Sequence, residues 1–181
     1  MPAAAKSRVT VSKARGVAAL AVAPTSMTPA ILIARLIQRK ATFAALYSAS
    51  QMDRIKMVKD GVPSSFVAVL VSELDMSKER FYGIIGVARA TVDRKVKTRT
   101  TLDRAESEGV LAMARLIGQV EEMVSTSGNP EGFDAARWVA DWLQQPLPAL
   151  GGHCPADYMD TEEGRALVSG LIAQMQSGAY A

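Results

Sequence analysis

The stretch "HCPADYMD", residues 153–160, holds the chain's single histidine, its single cysteine and two aspartates. A Cys–His pair can make a thiolate nucleophile, and His, Cys and carboxylates together can hold zinc. His153 and Cys154 are chain neighbours, whereas zinc ligands come at spacings that let side chains converge on one ion. A nucleophile and its base need a hydrogen bond that adjacent residues rarely make. Asp157 and Asp160 are the residue type that turns and helix caps use. No glycine-rich phosphate loop occurs anywhere in the chain. These residues therefore read as part of a binding surface, with no catalytic residue, no metal ligand and no cofactor expected. A catalytic role for His153 and Cys154 stays open as the remotest alternative.

The elements around this stretch are helical. "GFDAARWVADWLQQ" is one helix, with Trp138 and Trp142 four apart on one face. It must end near Gln145, because a proline disfavours helix in the residue before it. Pro146, Pro148 and the pair Gly151–Gly152 then make a compact connection, and Pro155 begins a single turn. Asp160 or Thr161 caps a last helix whose stripe is Leu167, Val168, Leu171, Ile172 and Met175.

Charge divides the chain. Residues 1–60 carry ten Lys/Arg against two Asp/Glu, net +8; residues 61–104 carry eight against five, net +3; residues 105–181 carry three against eleven, net −8. The front suits a polyanion and the back repels one. One cysteine makes no internal disulfide, and no apolar run reaches the roughly 18 residues of a membrane span. The chain is expected to be cytoplasmic, without a membrane partner. Residues 1–27 lack acidic residues and sustained periodicity, and read as a flexible basic arm with a faint likeness to an export signal.

Apolar spacing predicts an all-α fold. Helices are expected from Pro29, over "FAALYSASQMDRIKMVKDG", and over "VPSSFVAVLVSELD". In "MSKERFYGIIGVARATVDRKVKTRTTLD", Ser77 caps a short helix over 78–85 that Gly86 ends, and a second helix follows over 89–97. This is the layout of a helix-turn-helix, whose second helix enters the major groove. Arg89, Thr91, Arg94, Lys95 and Lys97 are expected on its open side, to read base edges and hold phosphates. Ala88 stands where such a motif usually places a Ser cap. A long helix over "TTLDRAESEGVLAMARLIGQVEEMV" leads to the loop "STSGNPEG". An ordinary helical hairpin with a basic surface is the competing reading of the motif.

The closing segment resembles the C-terminal toxin-binding domain of the Xre/MbcA/ParS antitoxin family. The pattern is carried by Trp142, Leu143, Pro146, Leu150, Gly151, Gly152, Pro155, Thr161 and Gly164, in order. Residues from Asp53 onward are similar to the family's Xre-like helix-turn-helix half, so the resemblance spans roughly residues 53–181. Where the family commonly shows a Ser-acid-Arg triplet, this chain has Ser107, Glu108 and Gly109.

The resemblance implies an antitoxin of a type II toxin–antitoxin system. Its toxin would be of the RES class, which destroys NAD, or a related ADP-ribosylating enzyme. It further implies that the C-terminal region covers the toxin's active site and that the N-terminal half represses its own operon. A homodimer and a hetero-oligomer with the toxin are expected. The implied toxin-binding residues are Trp142, Leu143, Thr161, Gly164, Gly178, Ala179 and Tyr180. Three parts are expected: the arm 1–27, a helical domain with the helix-turn-helix over 28–104, and a toxin-binding helical domain over 105–181. The competing function is a stand-alone helix-turn-helix regulator whose C-terminal half dimerises.

Overall fold

The computed structural model describes residues 27–127 and 130–177. They form nine α-helices: α1 Pro29–Ile37, α2 Phe43–Tyr47, α3 Gln51–Asp60, α4 Ser65–Glu73, α5 Lys78–Ile85, α6 Arg89–Thr98, α7 Arg104–Ser127, α8 Ala135–Trp142 and α9 Glu162–Ser177. Two single turns of tighter helix, Pro148–Leu150 and Pro155–Tyr158, join α8 to α9. The fold is all-α. Its single extended pairing among the described residues is a bridge between Pro63 and Thr101.

The long helix α7 organises the rest. It starts with a reciprocal cap: Asp103 Oδ1 accepts from the Glu106 amide at 3.0 Å, and Glu106 Oε2 accepts from the Asp103 amide at 2.8 Å. It packs on α2, α3 and α5 from the first half of the chain and on α8 and α9 from the second. Two glycines set these distances. A Cβ on Gly118 would lie 2.2 Å from the Phe43 carbonyl oxygen, so α2 crosses α7 with backbones touching. A Cβ on Gly109 would lie 3.1 Å from the Ile85 carbonyl oxygen, so the end of α5 rests directly on α7. A large side chain at position 109 would push the two apart; the absent arginine of the family triplet is here a packing surface. Ser107 of the same triplet is buried and accepts from the Val62 amide at 3.0 Å.

The apolar core runs without a break from Leu32, Leu36 and Phe66 through Met113 and Ile117 to Val139, Leu143 and Ile172. It therefore crosses residue 104, where the sequence suggests a division. Expected and observed helices agree closely at α5 and α6. They differ at the second predicted helix, which is broken between Tyr47 and Gln51. The cause is local: Ser50 Oγ accepts from the Asp53 amide at 3.1 Å, starting a new helix, and Arg54 donates back to the carbonyls of Tyr47 and Ala49. Among the described residues no helix is long and apolar enough to cross a membrane.

Candidate functional site: a helix-turn-helix face and a closing helical module

The first site is the pair α5–α6. Ser77 Oγ accepts from the Arg80 amide at 3.2 Å and starts α5. Gly86 ends it at φ 70°, and a Cβ there would meet Asp160 Cβ at 2.8 Å. Only glycine satisfies both the left-handed backbone and that approach. After the turn, Ala88 begins α6 without a side-chain cap. Ile84, Ile85 and Val92 are buried at the crossing. Tyr82 Oη donates to Asp93 Oδ1 at 3.0 Å and locks the two helices together. Burial, and then the bond to Asp93, push the Tyr82 phenol up to about 12; the same bond holds the Asp93 carboxyl below its usual range.

The five expected DNA-contacting residues do not share one face. Arg94 and Lys97 are exposed, and neither makes a side-chain hydrogen bond or ion pair with the described residues. Arg99, which ends α6 at φ 53°, is exposed and equally free. Arg89 is exposed but held by Glu79 at 2.6 Å and Asp93 at 3.4 Å. Lys95 departs from the expected open side. Its side chain is only 17% exposed and donates to Asp103 at 3.0 Å and to the buried Glu106. The bond to Glu106 holds its ammonium above the usual range. Thr91 turns the same way, one helical turn earlier. It lines a cleft of about 450 Å³ with Asp103, Glu106, Glu108, Asp160 and Glu162. Lys95 thus fastens α6 to the start of α7 and Thr91 faces the cleft beside it, while 94 and 97 look outward. The open basic face is narrower than expected, and Arg99 is a member the sequence did not single out.

The second site is the module from α8 to α9. Trp138 and Trp142 stack with ring centroids 5.8 Å apart and planes 9° apart. Trp142 and Leu143 are buried at 6% and 0% exposure, so these two expected toxin-binding residues lie in the core. The connection behind them is closed by backbone bonds: Leu147 donates to His153 O at 3.1 Å, and Gly152 to Leu147 O at 2.9 Å. Gly151 and Gly152 have φ of 64° and 88°, with open space where a Cβ would stand, so the turn's left-handed backbone is what calls for glycine there. Cys154 Sγ lies 3.2 Å from Gln144 O, and Asp157 accepts from the Cys154 amide at 3.1 Å. His153 is exposed against the edge of Tyr158. Among the described residues no His, Cys, Asp and Glu converge as a metal site.

Thr161 Oγ1 accepts from the Gly164 amide at 3.1 Å and starts α9. A Cβ on Gly164 would lie 1.8 Å from the Tyr158 carbonyl oxygen. Both residues therefore fix how α9 leaves the preceding turn. Leu167, expected in the apolar stripe of α9, is 44% exposed, whereas Val168, Leu171 and Ile172 are buried. Gly178, Ala179 and Tyr180 lie outside the described residues.

A helix-turn-helix with an exposed basic face, fused through one long helix to a small helical module, defines a regulator-like class with a built-in partner surface. The comparisons make the class specific. Residues 53–115 match the antitoxin Xre-like helix-turn-helix domain, and residues 131–178 match the antitoxin Xre/MbcA/ParS C-terminal toxin-binding domain. A curated relative, the Prs ADP-ribosylating antitoxin of Sphingobium sp. (strain YBL2), is 44% identical over 152 residues, covering 82% of this chain and 96% of the relative. The chain belongs to the Xre/MbcA/ParS antitoxin family. It is an antitoxin of a toxin–antitoxin system, and its partner is a cognate toxin.

Proposed function

We propose that this antitoxin neutralises a RES-class NAD-degrading toxin, or a related ADP-ribosylating one, by covering its active site with the C-terminal region. We further propose that it represses its own operon through α5–α6, as a homodimer or within the toxin complex. The observation that carries this reading is the pairing of two surfaces on one core. The free cations Arg94, Lys97 and Arg99 face outward from the helix-turn-helix, and the toxin-binding match covers residues 131–178. The name of the Sphingobium relative supports an ADP-ribosylating toxin class. In this reading the protein is cytoplasmic and acts by steric blockade, without catalysis of its own. Gly178, Ala179 and Tyr180 enter or cover the toxin cleft, Thr161 and Gly164 aim α9 toward it, and Trp142 and Leu143 support the module from within. Residues 28–104 carry the DNA function and 105–181 the toxin function, on a shared core.

The test is coexpression with the product of the adjacent gene, using the full chain and a chain stopped after Gln176. Copurification and cellular NAD are measured together. A full chain that copurifies and preserves NAD, beside a truncation that binds without protecting, is the expected result. If nothing copurifies and NAD never changes, a stand-alone DNA-binding regulator replaces this reading.

A further inference from the structure

A groove of about 860 Å³ runs between α3, α7 and α9. Its α9 wall is made of small residues one turn apart, Ala166, Ser169, Gly170 and Ala173. Its α3 wall presents Ile55, 38% exposed, and Val58. The floor is rigid: Gln119 of α7 and Ser169 of α9 exchange hydrogen bonds, Nε2 to the Ser169 carbonyl at 2.9 Å and the Ser169 hydroxyl to Oε1 at 2.7 Å. The walls are apolar and shallow, so a helix or extended segment can lie close to them.

The groove is predominantly basic. Arg54, Lys59 and Arg104 from the basic part of the chain and two of the three cations of residues 105–181, Arg115 and Arg165, line it against only Glu108 and Glu162. Arg165 is used internally, donating to the carbonyls of Met159 and Asp160. Arg115 is not. It makes no hydrogen bond or ion pair with the described residues, and its Nε is buried without a partner. Arg115 is half-buried with its Nε shut away from solvent, and an arginine so placed is well suited to pair with a carboxylate. Burial first, and then the charge of Arg54, hold the Arg115 guanidinium below its ordinary range. Arg54 lines the same groove but donates to the carbonyls of Tyr47 and Ala49, so Arg115 is the cation left there to take an anion.

We propose that this groove receives an acidic, apolar-faced segment of the cognate toxin, with a toxin carboxylate paired to Arg115. The toxin is the occupant because α9, one whole wall, lies inside the toxin-binding match over residues 131–178. The chain's own basic arm has no side-chain carboxylate to offer, since residues 1–27 contain no Asp or Glu. The groove extends the toxin-binding surface onto α3 and α7, which lie outside that match. The inference rests on the toxin-neutralising function proposed above.

The experiment uses the full chain and the adjacent-gene toxin, inactivated in its own active site. Binding is measured by calorimetry and chain stability by thermal melting, for wild type, Arg115→Met and the rim variant Arg104→Ala. Arg115→Met keeps the length and removes an unpaired charge, so its melting temperature should equal or exceed that of wild type. Its toxin affinity should fall at least tenfold and lose most of its salt dependence, with a smaller loss for Arg104→Ala. Unchanged affinity in Arg115→Met would overturn the groove as a toxin site and leave the antitoxin function standing. So would a loss that appears only with a lowered melting temperature, or a loss of self-association at constant toxin affinity. No toxin binding by the wild-type chain would overturn the toxin-neutralising function, and the groove's occupant with it.

Discussion

The exposed cations of α6 allow a quantitative test of the DNA face. Arg94, Lys97 and Arg99 are exposed and free of partners among the described residues, so their removal leaves no buried group unpaired. Stability should change by no more than about 0.5 kcal/mol for each. Each phosphate contact adds about 0.9 to the slope of log K against log salt on duplex DNA. The triple variant Arg94→Ala/Lys97→Ala/Arg99→Ala should therefore flatten that slope by about 2.7 per protomer. Between 50 and 200 mM salt, the affinity gap between wild type and variant should then narrow by about 40-fold for each protomer on the DNA. The assay is fluorescence anisotropy with a duplex spanning the region upstream of the chain's own gene. Lys95→Ala is the control. Lys95 is committed to Asp103 and Glu106, so its loss should leave the salt slope unchanged and act on stability. A triple variant with the wild-type slope, or a Lys95→Ala slope reduced by a full contact, would refute this division of the helix.

Three further outcomes follow from the packing. Lys95→Ala leaves the buried Glu106 carboxylate short of its cation and should lower stability by about 2 kcal/mol, read as a melting temperature lower by about 4–8 °C. Gly164→Ala forces a methyl against the Tyr158 carbonyl, so it should destabilise by about 3 kcal/mol and weaken toxin binding, while DNA affinity holds. Glu121 accepts from the Ala44 amide at 2.6 Å, and burial raises its carboxyl above the ordinary range. A raised folded-state pKa means the folded chain binds the proton more tightly. The associated stability is present below the unfolded value of 4.5 and is lost as pH rises through the folded value. Glu121→Gln should remove that loss, and denaturant midpoints measured against pH would show a flatter profile than wild type.

Local signals made much of this protein legible from its sequence. Ser77, Gly86 and the apolar positions of 78–97 placed α5 and α6, because caps, left-handed turns and helical stripes are short-range physics. Thr161 and Pro155 similarly marked the entry to α9 and the turn before it. The family pattern in the closing segment was readable because its glycines and prolines occupy positions where backbone geometry admits little else. The break at Ser48–Ser50 was missed because continuous apolar spacing masked a cap that only Arg54 and Ser50 together enforce.

What the sequence could not decide was direction. Charge alone put Lys95 beside Arg94 on the DNA face; the carboxylates of Asp103 and Glu106, brought up by α7, turned it inward. The family resemblance made Trp142 and Leu143 interface candidates; the meeting of α8 with α7 buried them. Arg115 sat in the apolar pattern of α7 as one charge interrupting a stripe, with Leu111 before it and Gln119 after it. Only the approach of α3 and α9 shows it as an unpaired cation in a groove. Helices are written in near neighbours, whereas the partner of a charge is set by which distant element arrives beside it.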